Sequence, residues 1–371
     1  MIKVLVIVNA IFGYDGISSV ATNYYRYQNK SAIAMDLVTI NPIAPSLSKE
    51  ISANNNRHFV LEGRNRNPLK YLLSLSSIIR KYKYDIVHIH GNSATMAIEL
   101  LAAKIGGCKV RIAHSHNTRC DHKYINRLLE PLFRKLYTDC CACSKEAGRF
   151  LFGKRACYIV NNGLNLRAYR FSLDKREEIR AGLSLEDRFV VGHIGRFAYQ
   201  KNHEFILRVF QQVLKREKNA VLLLVGEGEL KDTIQRQAVD MGIEEQIVFY
   251  GTTNKVNEVV QAMDCFIFPS RFEGLGIVAI EAQASGIPCI ASDQVPEKIK
   301  ILEKTTFLSL DADLDTWADA VIAGRTTPEE RASCASDVYL KIAASDYDIE
   351  KNCADMRAFY ERIMRARGEK R

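Results

Sequence analysis

No run of about eighteen apolar residues occurs in the 371-residue chain, so a membrane-spanning helix is not expected. The opening "MIKVLVIVNA" is too short in its apolar part for a secretory signal and lacks a cleavage pattern, so it reads as a buried first strand. The spaced triple glycine of a dinucleotide-binding turn is missing, which disfavours NAD. Low-complexity segments and short-period repeats are absent as well. Cysteine is present at ten positions but without the spaced pairs of a zinc site. The tightest group, Cys140, Cys141 and Cys143 in "YTDCCACS", reads as part of a short buried strand. These three are expected to be reduced core thiols of a cytosolic protein, and neither metal nor cofactor is indicated.

The chain does have the length for two domains, with an ordinary balance of 47% hydrophobic and 26% charged residues. Its net charge of +9 is unevenly spread, because residues 1–165 carry +13 and the remainder −4. A basic half suggests an anionic partner such as a membrane surface or a phosphorylated substrate. Nucleic acid is not expected, since no recognition module and no basic strand with stacking aromatics is present.

Short apolar runs alternate with helical patterns throughout. In the first half "KVLVIVN" (3–9), "AMDLVTI" (34–40), "DIVHIH" (85–90), "VRIAHSH" (110–116) and "DCCACS" (139–144) read as strands. In the second half "RFVVGHIGR" (188–196), "AVLLLVGEG" (220–228), "QIVFYG" (246–251), "CFIFPS" (265–270) and "PCIAS" (288–292) do the same. Several are apolar at consecutive positions, as strands buried on both faces are. The alternation predicts two doubly wound parallel sheets, with ligands at the carboxyl ends of the strands. The expected division is 1–165, 166–345, and a terminal helix over 346–371 packing back on the first domain.

Four strand-end loops could carry chemistry. "NAIFGYDGISSV" sets Gly13 and Gly16 before a helix, where glycine lets backbone approach a phosphate and the helix start supplies amides; an ordinary turn is the alternative. "AHSHNT" puts His114 and His116 on one face of a strand end, and "VHIHGN" repeats this with His88 and His90. Such groups can bond a substrate or move a proton, or be structural. "GRFAYQKNHEF" holds Arg196 and Lys201, cations suited to a leaving diphosphate. "PSRFEGLGIVAIEAQASGIPCIAS" holds Glu273 in a glycine-flanked turn and Glu281 eight positions on, inside a helix. Asp311 and Asp313 resemble a metal-binding pair but precede a helix, where capping or surface use is expected.

The stretches "GRF…QKN", "VGEGEL" and "PSRFEGLGIVAIEAQASGIPCIAS" resemble the signature loops of the retaining GT-B glycosyltransferases, in particular the large bacterial family 4-like group that builds capsules and exopolysaccharides. The resemblance spans most of the chain and is most specific in the second half. It implies a GT-B fold, two Rossmann-like domains facing a cleft, with the donor in the second domain. Residue by residue it implies that Arg196 and Lys201 hold the donor diphosphate, with Gly16, Gly226, Gly274 and the amides of Leu275 and Gly276 near it. It places Glu281 on the nucleotide ribose, Glu273 on the donor sugar, and a histidine, His116 or its neighbour His114, beside the reacting centre. The first loop, Gly-Tyr-Asp-Gly, departs from the family's tight glycine pair, so Gly13 receives no role.

The implied activity is retaining transfer of a hexose or N-acetylhexosamine, with UDP the expected nucleotide, to a glycan or polyprenyl-diphosphate-linked saccharide in capsule or exopolysaccharide synthesis. The implied course is front-face displacement without a metal, the protein supplying position and charge. A sugar-nucleotide 2-epimerase and an inactive partner subunit are the alternatives. The basic first half is expected to face an acceptor's lipid diphosphate or an anionic membrane at the inner face of a cytoplasmic enzyme's cell membrane. Residues 64–84 are the candidate contact, the alternative being an ordinary helix on the sheet.

Overall fold

The computed structural model describes residues 1–13, 16–117, 120 and 123–368; Tyr14 and Asp15 of the first glycine loop and Thr118 of "AHSHNT" lie outside the described residues. The chain divides into two units, Met1–Leu164 with Asp346–Arg371, and Asn165–Ser345.

The first unit is built on seven strands: β1 (Ile2–Val8), β2 (Ile33–Thr39), β3 (His58–Val60), β4 (Ile86–Gly91), β5 (Val110–Ser115), β6 (Asp139–Ala142) and β7 (Tyr158–Ile159). They are parallel and ordered β3-β2-β1-β4-β5-β6-β7, so the winding reverses between β1 and β4. Alternation along β1 splits its side chains between two cores. Val4, Val6 and Val8 join Met35 and Ile112 on one face, while Leu5 and Ile7 join Tyr71, Leu75 and Leu100 on the other. The first core is closed by the helices Gly16–Tyr27 and Ile349–Gly368. Ile349, Cys353, Met356, Tyr360 and Ile363 recur at steps of three and four, the stripe by which a helix buries one face. The last helix of the chain is therefore part of the first unit.

The second unit repeats the design with β8 (Phe189–Ile194), β9 (Ala220–Val225), β10 (Ile247–Gly251), β11 (Cys265–Phe268), β12 (Cys289–Ser292) and β13 (Thr305–Leu308). These are also parallel, ordered β10-β9-β8-β11-β12-β13, with the reversal between β8 and β11. Each sheet thus has the doubly wound order whose ligands bind beyond the strand ends at the reversal.

At the opposite end of β8 lies a buried polar knot. The Asp264 carboxylate accepts from Val190 N (2.8 Å), Arg180 Nη2 (2.6 Å) and Arg176. Arg331, fully buried, donates to the carbonyls of Gln261, Met263 and Ser285. Their donors are spread over carbonyls and one carboxylate, which is what burial of charge requires.

One expectation is corrected. Cys140 and Cys157 form a disulfide with Cα atoms 4.9 Å apart, so not every cysteine is a reduced core thiol. Cys141 pairs with Tyr158 in the β6–β7 register, which makes Cys140 and Cys157 the preceding cross-strand neighbours. No helix among the described residues is long and apolar enough to cross a membrane.

Candidate active site

The second unit's strand-end loops are fitted to each other before any ligand enters. Phe197 N donates to the Glu227 carbonyl at 3.0 Å, and Leu230 N donates to the Phe197 carbonyl at 3.0 Å. This lacing brings "GRF" and "VGEGEL" into contact, and glycine makes it feasible. Gly226 has φ +144°, and a Cβ there would lie 2.1 Å from the Gly195 carbonyl oxygen. No side chain fits.

Lys201 closes the short 3₁₀ turn Tyr199–Lys201. Asn202 follows it at φ +58°, and its side-chain amide donates to the Pro269 carbonyl at 3.2 Å. That bond, with Arg271 N donating to the Gln200 carbonyl at 2.8 Å, ties the loop after β8 to the loop after β11. As a result Lys201 Nζ lies 2.6 Å from Glu273 Oε1 and 4.9 Å above the Phe268 ring. Residues 72 apart in sequence thus form a mostly buried ion pair.

Gly276 begins the helix Ile277–Ala284 at φ +79°, with Phe268 3.0 Å from where its Cβ would be. The first amides of that helix have no carbonyl within it to bond. Their partial positive charge stands beside Glu273, Gly274 and Leu275. Gly274 has open space where a Cβ would be, so packing does not demand glycine there. Glu281, on the second turn, accepts from the Tyr169 hydroxyl at 2.7 Å. Burial pushes its carboxyl up to about 7, and the Tyr169 bond opposes that shift.

Arg196 is 73% exposed and reaches Glu229 at 3.0 Å. It is the only expected site residue of this unit standing largely in solvent on a long side chain; its hold on Glu229 is a surface pair of small worth. Arg196 and Lys201 are thus each matched with a different carboxylate.

In the first unit the helix Gly16–Tyr27 starts just beyond β1, and Gly16 has open space around its missing Cβ. The preceding turn is fixed by Phe12 N donating to Asn41 Oδ1 at 2.7 Å and by Gly13 N donating to Ser18 Oγ at 3.0 Å. Beside it, β4 and β5 pair with His90 opposite His114. This register collects all four histidines noted in sequence. His88 Nε2 lies 3.1 Å from His114 Nδ1, and His90 Nδ1 lies 2.9 Å from His116 Nε2. His116 is just past the end of β5, its amide donating to Asn92 Oδ1 at 3.2 Å. His114 is fully buried, so of the two candidates only His116 keeps some access to solvent. Burial pulls all four imidazoles down, His90 to about 3, so they stay neutral.

Sequence reasoning missed three participants. Tyr169, which fixes Glu281, lies 112 residues away and in a four-residue helix without a motif. His193 and His203 lie beneath the Lys201 loop, their rings 4.9 Å apart, with His203 stacked on Phe197 at 4.1 Å. A signal was present for His193, since it stands two residues before Gly195 near the end of a predicted strand.

Comparison with known proteins agrees with this geometry. Residues 174–339 match the family described as glycosyl transferases group 1, and residues 14–166 match Glycosyltransferase Family 4. EpsF of Bacillus subtilis (strain 168), named as a glycosyltransferase, is 31% identical over 352 residues, covering 91% of each chain. The UDP-Gal:alpha-D-GlcNAc-diphosphoundecaprenol alpha-1,3-galactosyltransferase of Escherichia coli is 28% identical over 243 residues, covering 61% of this chain and 62% of its own. Among solved structures, Anabaena Alr3699/HepE in complex with UDP and glucose superposes with a TM-score of 0.77 at 15% identity, over 97% of this chain and 100% of that one.

Proposed function

The chain belongs to the group 1 glycosyltransferases, with a family 4-type first half and a GT-B fold, and from that premise we propose that it transfers a hexose or N-acetylhexosamine from a UDP-sugar, with retention and without a metal, to a glycan or polyprenyl-diphosphate-linked saccharide in capsule or exopolysaccharide synthesis. The observation that carries the proposal is the Lys201–Glu273 pair, 2.6 Å long, at the start of the helix that bears Glu281 two turns on. One cation, the amides at a helix start and two carboxylates then follow one another from that loop into the helix.

The donor diphosphate sits on the amides of Leu275 and Gly276 and on the helix terminus. Arg196 swings from Glu229 to the same phosphates. Gly274 leaves space for them, and Gly226 lets the neighbouring loop close up against Gly195 beside them. Glu281 accepts from the ribose hydroxyls and Glu273 from those of the sugar. As the glycosidic bond breaks, negative charge grows on the diphosphate, and Lys201 with Arg196 stabilises it in place of a metal. Gly16 and His116 take their roles, near the diphosphate and beside the reacting sugar, from the family resemblance alone. The departing diphosphate takes the acceptor's proton. The names of the relatives support a nucleotide sugar and a diphospholipid acceptor: the Escherichia coli protein's name contains both, and the Anabaena structure holds UDP.

We place the protein at an anionic membrane through its basic first unit. The helix Lys123–Leu136 supports this better than the helix Pro68–Tyr82 within residues 64–84. The former exposes Tyr124, Ile125, Leu128 and Leu132 on one face, with Arg127 alongside; the latter buries Tyr71, Leu75 and Ile79 and exposes Leu69 and Leu73.

The test is nucleotide release from a panel of UDP-, GDP- and ADP-sugars with EDTA present and lipid-linked saccharide as acceptor. Acceptor-dependent release of UDP is the expected result, with an anomeric configuration in the product, read by NMR, that matches the donor. Release without transfer, or sugar isomerisation without release, overturns the proposal.

A further inference from the structure

The histidine cluster of the first unit holds more than the transferase reading uses. His88 and His90 occupy alternate positions of β4, and His114 lies opposite His90 on β5. Their imidazoles therefore share one face of the sheet, beneath Tyr360 of the helix Ile349–Gly368. One ring nitrogen from each of the three lies within 4.8 Å of the others. These rings line a cavity of about 20 Å³, along with Tyr24, Gln28 and Tyr360. That is room for one particle the size of a water or a metal ion.

We propose that His88, His90 and His114 bind one divalent transition-metal ion of the zinc type. The donors decide the class of ion. Three imidazoles with no acidic residue among the lining residues suit zinc, cobalt, nickel or copper, and are a poor site for magnesium or calcium. The spacing is also suitable. His88 Nε2 and His114 Nδ1 are 3.1 Å apart, close to the ~3.3 Å that two nitrogens at about 2.0–2.1 Å from a tetrahedral zinc would have.

The outer bonds select the ligand atoms. His88 Nδ1 lies 2.7 Å from the Tyr360 hydroxyl and His90 Nδ1 lies 2.9 Å from His116 Nε2. Each of these histidines keeps Nε2 for the ion and donates its other N–H outward, the arrangement that usually orients a metal-bound imidazole. Ligation of His90 then fixes which way its bond to His116 runs. The ion would hold the fold and the pose of His116, and would take no part in the chemistry at the diphosphate.

The experiment uses the full chain without a histidine tag, purified without chelator. Mass-spectrometric metal analysis is expected to find about one zinc per chain. The metal-free chain titrated with Co²⁺ should develop a visible d–d band that saturates at one equivalent and is bleached by Zn²⁺. His88→Ala and His114→Ala should abolish the band, and Tyr360→Phe should weaken the affinity roughly 10- to 100-fold while the chain stays folded. Absence of both stoichiometric metal and the cobalt band in the unaltered chain overturns the proposal and leaves the cavity to water. A band that survives both alanine variants overturns it too, because the ion is then elsewhere. If an alanine variant does not fold, the metal content and cobalt spectrum of the unaltered chain decide.

Discussion

Replacing Lys201 with methionine removes a charge while nearly preserving length. Lys201 Nζ is 2.6 Å from Glu273 Oε1, with the side chains only 16% and 7% exposed. At an effective dielectric constant near 20, unit charges at that separation attract by about 6 kcal/mol. Desolvation of the two ions offsets most of it. Removing the cation alone leaves Glu273 charged and unpaired, at a cost of about 3 kcal/mol. Glu273→Gln should cost a similar amount by stranding Lys201. The double variant should cost no more than about either single one, so a double-mutant cycle in urea should give a coupling of about 2–3 kcal/mol. Turnover should behave differently. If Lys201 also stabilises the leaving diphosphate, its loss lowers kcat by about 10² to 10³, and removing Glu273 as well does not restore it. The assays are urea denaturation and acceptor-dependent UDP release on the same four proteins. Wild-type turnover in Lys201→Met, or recovery of turnover together with stability in the double variant, would show the pair to be structural only.

Glu281 supplies a pH test. Its carboxyl is held up to about 7, so its contribution to stability is fully present below the ordinary carboxyl value near 4.5 and is lost as pH rises through about 7. On the proposed role of Glu281, ribose hydroxyls bond its ionised form, so UDP affinity, read by calorimetry, should rise with pH through about 7; Glu281→Gln should flatten that rise and cost about tenfold at pH 8, one charge-assisted hydrogen bond of about 1.5 kcal/mol. Gly226→Ala forces a Cβ to within 2.1 Å of the Gly195 carbonyl at φ +144°, and should cost about 3 kcal/mol by urea denaturation and abolish UDP binding. Leu128→Asp on the exposed face of the helix Lys123–Leu136 should leave transfer to a soluble acceptor unchanged and lower flotation with anionic vesicles by about 30-fold, the loss of one leucine's burial of about 2 kcal/mol.

The central strands of both sheets were legible because burial on two faces writes a continuous apolar run. The strands that sequence reasoning did not name are β3, β7 and β13, and all three are sheet edges. β3 and β7 have three and two residues, and all three strands are largely half-exposed, so no apolar run marks them. One miss caused another. Without β7, nothing sets Cys157 beside Cys140, and the disulfide could not be read from a 17-residue separation. Arg176, Arg180 and Asp264 were equally hidden, since charges that meet across more than eighty residues look like solvated surface until the fold joins them.

The candidate site divides along the same line. The places of Lys201, Gly226 and Glu273 were legible because each stands in a loop after a strand with a clear apolar run, and Glu281 in the helix that follows the last of these loops. What each touches was not. Tyr169 reaches Glu281 from an unmarked position 112 residues away, and Glu229, though inside a marked loop, meets Arg196 across 33 residues. The histidines show the boundary most clearly. Spacing of two put His88 with His90, and His114 with His116, on a common face within each pair. Only the register of β4 against β5 merges the pairs, and a slip of one residue would turn one pair to the opposite face. Alternation within a strand is written in sequence; the match between strands is settled by the packing of both cores. A cluster drawn from two strands therefore becomes visible only once the sheet is assembled.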